Sequence, residues 1–371
     1  MSLFINPLPD AVYVGRKKEI PEDIRGHYFR DQTKIIHSSA FRRLKHKTQV
    51  FFSPHDDHIC TRMEHALIVS TVASTICRAF RLDAELAEAI ALAHDFGHTP
   101  FGHAGEEILD VIAGDIGGYK HELKGLRVVD ILQNNGEGLN LTYAVRDGII
   151  SHCGESFEQY VKPGAVYKEL EGINENTVPV TWEGCVVRVS DKISYIGRDL
   201  EDAMEGMFLS KEVVSEIKNK FGQIANREII NKLVLDVIEW SSPEKGIGFS
   251  AEGKIYLDQL YGYSKKHIYN HPEILQYREY CEKILKALSG HLLDLYDSFG
   301  ERYPRYMSSP RALDRHFGAY LQKHETVYRN NPSGIQRVVD YISGMTDNYA
   351  LRCMEEISLP RPINFNRKYF E

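Results

Sequence analysis

The chain has no C-x-x-C pair, no apolar run long enough to span a bilayer, no internal repeat and no low-complexity tract. Its six cysteines, Cys60, Cys77, Cys153, Cys185, Cys281 and Cys353, are scattered. That argues against a zinc ribbon and against a disulfide framework, and makes a reducing cytoplasm the expected setting. Positive charge is not in excess either. Forty-five Lys and Arg against 52 Asp and Glu leave −7 over 371 residues, so the bulk surface does not attract nucleic acid or anionic membrane, and an anionic ligand must find a local basic patch. The N-terminal segment is broken by Pro7 and Pro9 and lacks the apolar stretch of a signal peptide, so no export is expected. The longest uncharged stretch, Ala66 to Cys77, is rich in Ser and Thr and falls short of the roughly 20 residues of a membrane span. What remains, 43% hydrophobic and 26% charged, is the composition of a soluble chain with a substantial core, not of a collagen, a rod or a disordered tail.

Apolar residues recur at three and four, so the predicted class is all-α. Ile68, Val69, Val72, Ala73, Ile76 and Phe80 make a wide stripe that predicts a central helix over His65–Phe80. Asp83 is the expected N-cap of the next helix, which runs to Gly97, where Pro100 and Gly102 forbid continuation. Further helices are expected from near Ala104, from near His121, and over about Glu183–Met207. Only Lys47–Phe52, Pro163–Pro179 and Ser241–Gly253 look β-like or irregular, as a small hairpin or connectors. The expected organisation is one domain, with a core over about 27–240 and a C-terminal helical extension over about 241–371.

Histidines and carboxylates cluster in the first third: His65, His94-Asp95, His98, His103, Glu106 and His121-Glu122. One histidine on such a helix is more often a hydrogen-bonded core residue. The cluster points instead to a metal, which needs neutral imidazoles and ionised carboxylates converging from several elements. His94 and Asp95 lie about 100° apart on a helix, so both reach one ion only near the helix end, where Gly97 and Pro100 place it. In the segment from Glu183, counting 100° per residue from Asp191 puts Tyr195, Arg198, Asp199 and Asp202 within about 80° of it. Val189, Ile193, Ile196, Leu200, Ala203 and Met207 fall opposite, at about 120° to 200°. By periodicity alone this is an amphipathic surface helix. Its residue order makes Asp191 the candidate fourth ligand.

His65, His94-Asp95 and Asp191 match the H…HD…D signature of HD-domain metal-dependent phosphohydrolases. More narrowly, R-D-Q-T-K-I-I-H-S-S-A-F-R-R-L-K-H-K-T-Q-V (Arg30 to Val50), T-R-M-E-H (Thr61 to His65), H-D-F-G-H-T-P-F-G-H-A-G-E (His94 to Glu106), V-V-R-V-S-D-K-I-S-Y-I-G-R-D-L-E-D-A (Val186 to Ala203) and D-Y-I-S-G-M-T-D (Asp340 to Asp347) resemble the deoxyguanosinetriphosphate triphosphohydrolase family. The resemblance implies an all-α HD fold, one divalent cation per site, a homo-oligomer, and hydrolysis of a deoxynucleoside triphosphate to the deoxynucleoside and tripolyphosphate. It implies His65, His94, Asp95 and Asp191 as metal ligands, His103 as the main catalytic histidine with Glu106 orienting it, and His98 and His121 near the triphosphate. Arg62, Lys192 and Tyr195 are then triphosphate contacts. Gln49 and Asp199 hold the sugar 3′-hydroxyl, with Val50 against the 2′ carbon.

A triphosphate also suits the segment from Arg25 to Arg62, which has eight Lys/Arg against three Asp/Glu. Two imidazoles and two carboxylates suit Mn, Fe, Co, Ni or Zn better than Mg, which can accompany the substrate. Two rival readings use the same features. A nucleotidase, cyclic-nucleotide phosphodiesterase or alarmone hydrolase would keep the metal site and change the ester. A nucleotide-sensing or nucleic-acid-binding protein would use the site as a pocket, with a nucleotide or single-stranded DNA as effector.

Overall fold

Thr61 and Glu64 start the central helix with a reciprocal capping box: the Thr61 side chain accepts from Glu64 N–H, and the Glu64 carboxylate accepts from Thr61 N–H at 2.8 Å. The computed structural model describes residues 3–51, 58–153, 159–173, 177–222, 225–331 and 333–359 and is 69% helical, which establishes the all-α class. The helix Arg62–Phe80 buries His65, Val69, Val72, Ala73 and Ile76 and packs on Ala84–Ala93 and on the long helix Trp182–Glu205. Asp83 caps Ala84–Ala93 by accepting from Glu85 and Leu86 N–H, as its position predicts. That helix stops at Ala93, and His94–Gly97 tighten into a 3₁₀ turn. Gly97 is required there, because a Cβ would stand 1.8 Å from the His121 carbonyl oxygen. The close approach seats the turn on the helix His121–Arg127.

Thr181 caps Trp182–Glu205. The polar face expected to meet water is instead enclosed, since Arg62–Phe80, Ala84–Ala93, Asn226–Trp240 and Ala251–Ser264 all pack on this helix, leaving Asp199 and Asp202 buried. Met207, expected in its apolar stripe, lies past the helix end with φ +53° and is 89% exposed. The two described strands, Tyr160–Val161 and Ile247–Gly248, pair antiparallel with Tyr160 opposite Gly248. They are not a hairpin, because the partners come from distant segments. In Lys47–Phe52 only a bridge from Thr48 to Thr61 forms, and Phe52 is outside the described residues.

Two hydrophobic clusters form. One draws on residues from Tyr13 to Ile268. The other joins Phe101, Ile108, Leu109 and Tyr119 to residues from Cys281 to Cys353, and is centred on the long helix Pro272–Phe299. Polar ties cross between them. Buried Asp340 accepts from Lys124, from Arg127 Nη2 at 2.7 Å and from Tyr328 Oη at 2.9 Å. Buried Asp347 accepts from Thr48 N–H at 2.9 Å, Thr48 Oγ1 at 2.8 Å and Phe101 N–H at 2.9 Å. Lys47 donates to the Ser343 carbonyl at 2.8 Å and to the His98 carbonyl.

Burial would raise the Asp340 carboxyl, but Lys124 and Arg127 outweigh it and hold it at about 2, below its ordinary 3.8. A depressed carboxylate stabilises fully above its unfolded value, and the contribution fades as the pH falls through about 2. Asp340→Ala should cost about 3–5 kcal/mol at neutral pH by stranding buried Lys124. Urea unfolding of the variant at pH 7 and at pH 2 checks this, the difference from wild type shrinking at the lower pH.

Candidate active site

His65 comes from the first turn of its helix, His94 and Asp95 from the 3₁₀ turn, and Asp191 from the middle of Trp182–Glu205. They converge. His65 Nε2 is 2.9 Å from Asp191 Oδ1, and His94 Nε2 is 3.3 Å from Asp95 Oδ1 and 3.8 Å from Asp191 Oδ1. His94 Nδ1 donates to the Ala91 carbonyl at 2.6 Å, so its Nε2 carries the lone pair. That nitrogen is buried and has no hydrogen-bond partner among the described residues. An orphaned imidazole lone pair beside two carboxylates is what a divalent cation would satisfy, and His65, His94 and Asp95 offer their ligand atoms within 4.8 Å of one another.

Burial would raise Asp95, but His94, His98 and Arg62 crowd it and hold it well below the carboxylate range. Asp191 is lowered in the same way by His65 and His94. Burial would lower His65, but the Asp191 hydrogen bond and charge raise it instead. Arg62, 1% exposed, donates from Nη1 to Asp95 Oδ2 at 2.9 Å. Its Nε and Nη2 are buried and unpartnered among the described residues, which equips the guanidinium to take an anionic oxygen. The rest of the predicted basic segment disperses: Arg25 pairs with Asp23, Lys34 donates to the Asn140 carbonyl, and Lys47 is a buried tie.

A second group adjoins the first. His98 lies 3.1 Å from Asp95 Oδ1 through Nε2 and stacks on His121 with ring centres 3.9 Å apart. Glu106 accepts from His121 N–H at 2.7 Å and faces His121 Nδ1 at 2.9 Å. His103 is 71% exposed, and its Nδ1 is 3.6 Å from Glu106 Oε2, too far for a good hydrogen bond. Glu106 therefore orients His121 closely, while His103, the partner that the i,i+3 spacing suggested, stands farther off. Burial would raise Glu106, but His121 and His103 outweigh it and hold it ionised. His152 and Cys153, at the end of the helix Tyr143–Ser151, complete this group and were not anticipated.

Gln49 and Val50 follow the bridge at Thr48, against the turn that carries His103. A Cβ on Gly102, whose φ is +60°, would stand 3.2 Å from the Gln49 carbonyl and 3.4 Å from Arg62 Nη2. Gln49 Oε1 is buried and unpartnered among the described residues. Val50 and Tyr195 are half-buried and Lys192 is buried. Asp199, two turns beyond Asp191, accepts from Tyr269 Oη at 2.6 Å, and burial pushes its carboxyl up to about 7.

The helical fold and the H…HD…D convergence define an HD-domain phosphohydrolase: residues 62–196 match the HD domain and 247–356 the phosphohydrolase-associated domain. HD domains are metal-dependent. The chain belongs to the deoxyguanosinetriphosphate triphosphohydrolase-like family. It is 37% identical over 354 residues to the deoxyguanosinetriphosphate triphosphohydrolase-like protein of Caldanaerobacter subterraneus subsp. tengcongensis, covering 94% of this chain and 90% of that one. The protein of the same name from Desulfatibacillum aliphaticivorans is 37% identical over 97% of this chain and 96% of its own, and that from Clostridium tetani 32% over 93% and 89%. Among the described residues no helix is long and apolar enough to cross a membrane.

Proposed function

We propose that the chain hydrolyses a deoxynucleoside triphosphate to the deoxynucleoside and tripolyphosphate. The observation that carries this is the buried Arg62 guanidinium, with two donors unpartnered among the described residues, fixed on the carboxylate of the four-donor cluster. The names of the family relatives point to the same substrate class. His65, His94, Asp95 and Asp191 would hold one divalent cation, Mn, Fe, Co, Ni or Zn, which supplies Lewis acidity at the α-phosphate and lowers the pKa of a water. Arg62 and Lys192 take phosphate oxygens, and Tyr195 contributes its hydroxyl. His103, at the exposed mouth, holds the proton for the leaving 5′ oxygen or assists the water. His98 and His121 flank the triphosphate, with His121 oriented by Glu106. The functional unit is a core over about 27–240 with its helical extension over about 241–371, in a homo-oligomer open to a nucleotide or single-stranded DNA effector.

The test is a panel of the four dNTPs and GTP with metal-supplemented protein, products resolved by ion exchange. Tripolyphosphate and deoxynucleoside in equal amounts are expected. Orthophosphate or pyrophosphate would transfer the site to a nucleotidase or phosphodiesterase, and salt-sensitive oligonucleotide binding without turnover to a binding protein.

The sugar gives a sharper prediction. Gln49 and Asp199 take the 3′-hydroxyl, so a 2′,3′-dideoxy substrate leaves two polar groups without it. Each costs about 1–3 kcal/mol, or about tenfold to a hundredfold in kcat/KM. A ribonucleotide fails instead by crowding at Val50, so Val50→Ala should gain GTP turnover and Asp199→Ala should not. Equal kcat/KM for dGTP and dideoxy-GTP on wild type would remove these sugar roles.

A further inference from the structure

His121, His152 and Cys153 are brought together by two separate elements, and their ligand atoms form a tight triangle. Cys153 Sγ is 3.0 Å from His121 Nε2 and 3.2 Å from His152 Nε2, and the two nitrogens are 3.3 Å apart. Each ring is oriented from behind. His152 Nδ1 is 2.6 Å from the Ile149 carbonyl, which can only accept, so His152 Nε2 carries a lone pair. His121 Nδ1 faces both oxygens of ionised Glu106, at 2.9 and 3.0 Å. With their outer nitrogens so engaged, both rings turn Nε2 toward one another and toward the sulfur, so three donor atoms converge. Tetrahedral zinc, with Zn–N of about 2.0–2.1 Å and Zn–S of about 2.3 Å, sets N···N near about 3.3 Å and S···N near about 3.6 Å. The N···N edge matches, and the sulfur needs to withdraw by about half an ångström.

We propose that His121, His152 and Cys153 bind a second cation, a borderline-soft divalent ion such as zinc, beside the four-donor cluster. One thiolate and two imidazoles make this a softer site than the two-imidazole, two-carboxylate set. Glu106 and the Ile149 carbonyl supply the outer hydrogen bonds that fix a ligating imidazole. Three protein ligands leave a fourth position open, as reactive rather than purely structural zinc sites do. Binding converts Cys153–SH and M²⁺ to a Cys153–S–M bond, the thiol proton and any proton on His121 Nε2 passing to solvent. The inference goes beyond the substrate assignment and does not depend on it.

The test is a Co²⁺ titration of the metal-free full chain, following bound metal and near-ultraviolet absorption. Wild type should bind two cobalt ions per chain with a thiolate-to-cobalt charge-transfer band. Cys153→Ser should bind one, without the band. Asp191→Ala should lose the other ion and keep the band, so failure of the four-donor site is told apart from failure of this one. In wild type, Zn²⁺ should slow alkylation of Cys153, read by peptide mass spectrometry, by at least about tenfold. One cobalt and no band in wild type, a band that persists in Cys153→Ser, or alkylation indifferent to Zn²⁺ would each overturn the site in favour of a protonated His121 sharing its proton with the thiol.

Discussion

Asp95→Ala is expected to reduce dNTP turnover to background and to remove the cation held with His65, His94 and Asp191. Asp95 has two tasks, because Oδ1 faces His94 and His98 while Oδ2 accepts a hydrogen bond from buried Arg62. Truncation therefore leaves an uncompensated guanidinium in the interior. That costs about 3–5 kcal/mol of stability besides the metal. Asp95→Asn separates the effects, keeping an acceptor for Arg62 while removing the charge that binds the cation. Metal analysis and thermal unfolding of both variants check this. Full occupancy of the four-donor site with retained turnover in Asp95→Asn would remove it from the chemistry.

His103→Ala should lose roughly two to four orders of magnitude in kcat while keeping the metal and the dNTP Kd. Its exposure decides the interpretation. A side chain that is 71% exposed with no short hydrogen bond among the described residues has little to contribute to the fold, and surface substitutions of this kind stay within about 0.5 kcal/mol. A large rate loss with unchanged melting would thus report chemistry. An effect confined to KM would make His103 a binding residue. Glu106→Gln should act differently, through His121, with a smaller rate loss and a displaced pH profile.

Much of this architecture was legible in the chain. Asp83 and the Gly97–Pro100 stop mark helix ends because they satisfy or forbid backbone hydrogen bonds locally, and such signals survive without tertiary information. The place of His94-Asp95 at a helix end followed from them. His152 and Cys153 were not legible, because Tyr143–Ser151 is buried on every side and carries no apolar stripe against which its terminal residues stand out. The enclosure of the Asp191 helix was hidden for the opposite reason: periodicity reports which face is polar, not whether solvent or another helix covers it. Two-residue strands from segments far apart have no period at all.

Asp347 and Lys47 make the C-terminal helices part of the candidate site's scaffold. One carboxylate holds the backbone at Thr48, just before Gln49, and at Phe101, two residues before His103. Phe101 has φ +67°, a conformation an apolar aromatic residue does not choose by itself. Lys47 ties the carbonyl of His98 to that of Ser343. The seam between the two matched segments is therefore not a place to cut. A fragment ending near residue 246 would keep His65, His94, Asp95 and Asp191 and lose the carboxylate that anchors the backbone before Gln49 and before His103. Transplanting the HD segment alone into another scaffold would meet the same obstacle, since the spacing between Gln49 and His103 is set from the far end of the chain.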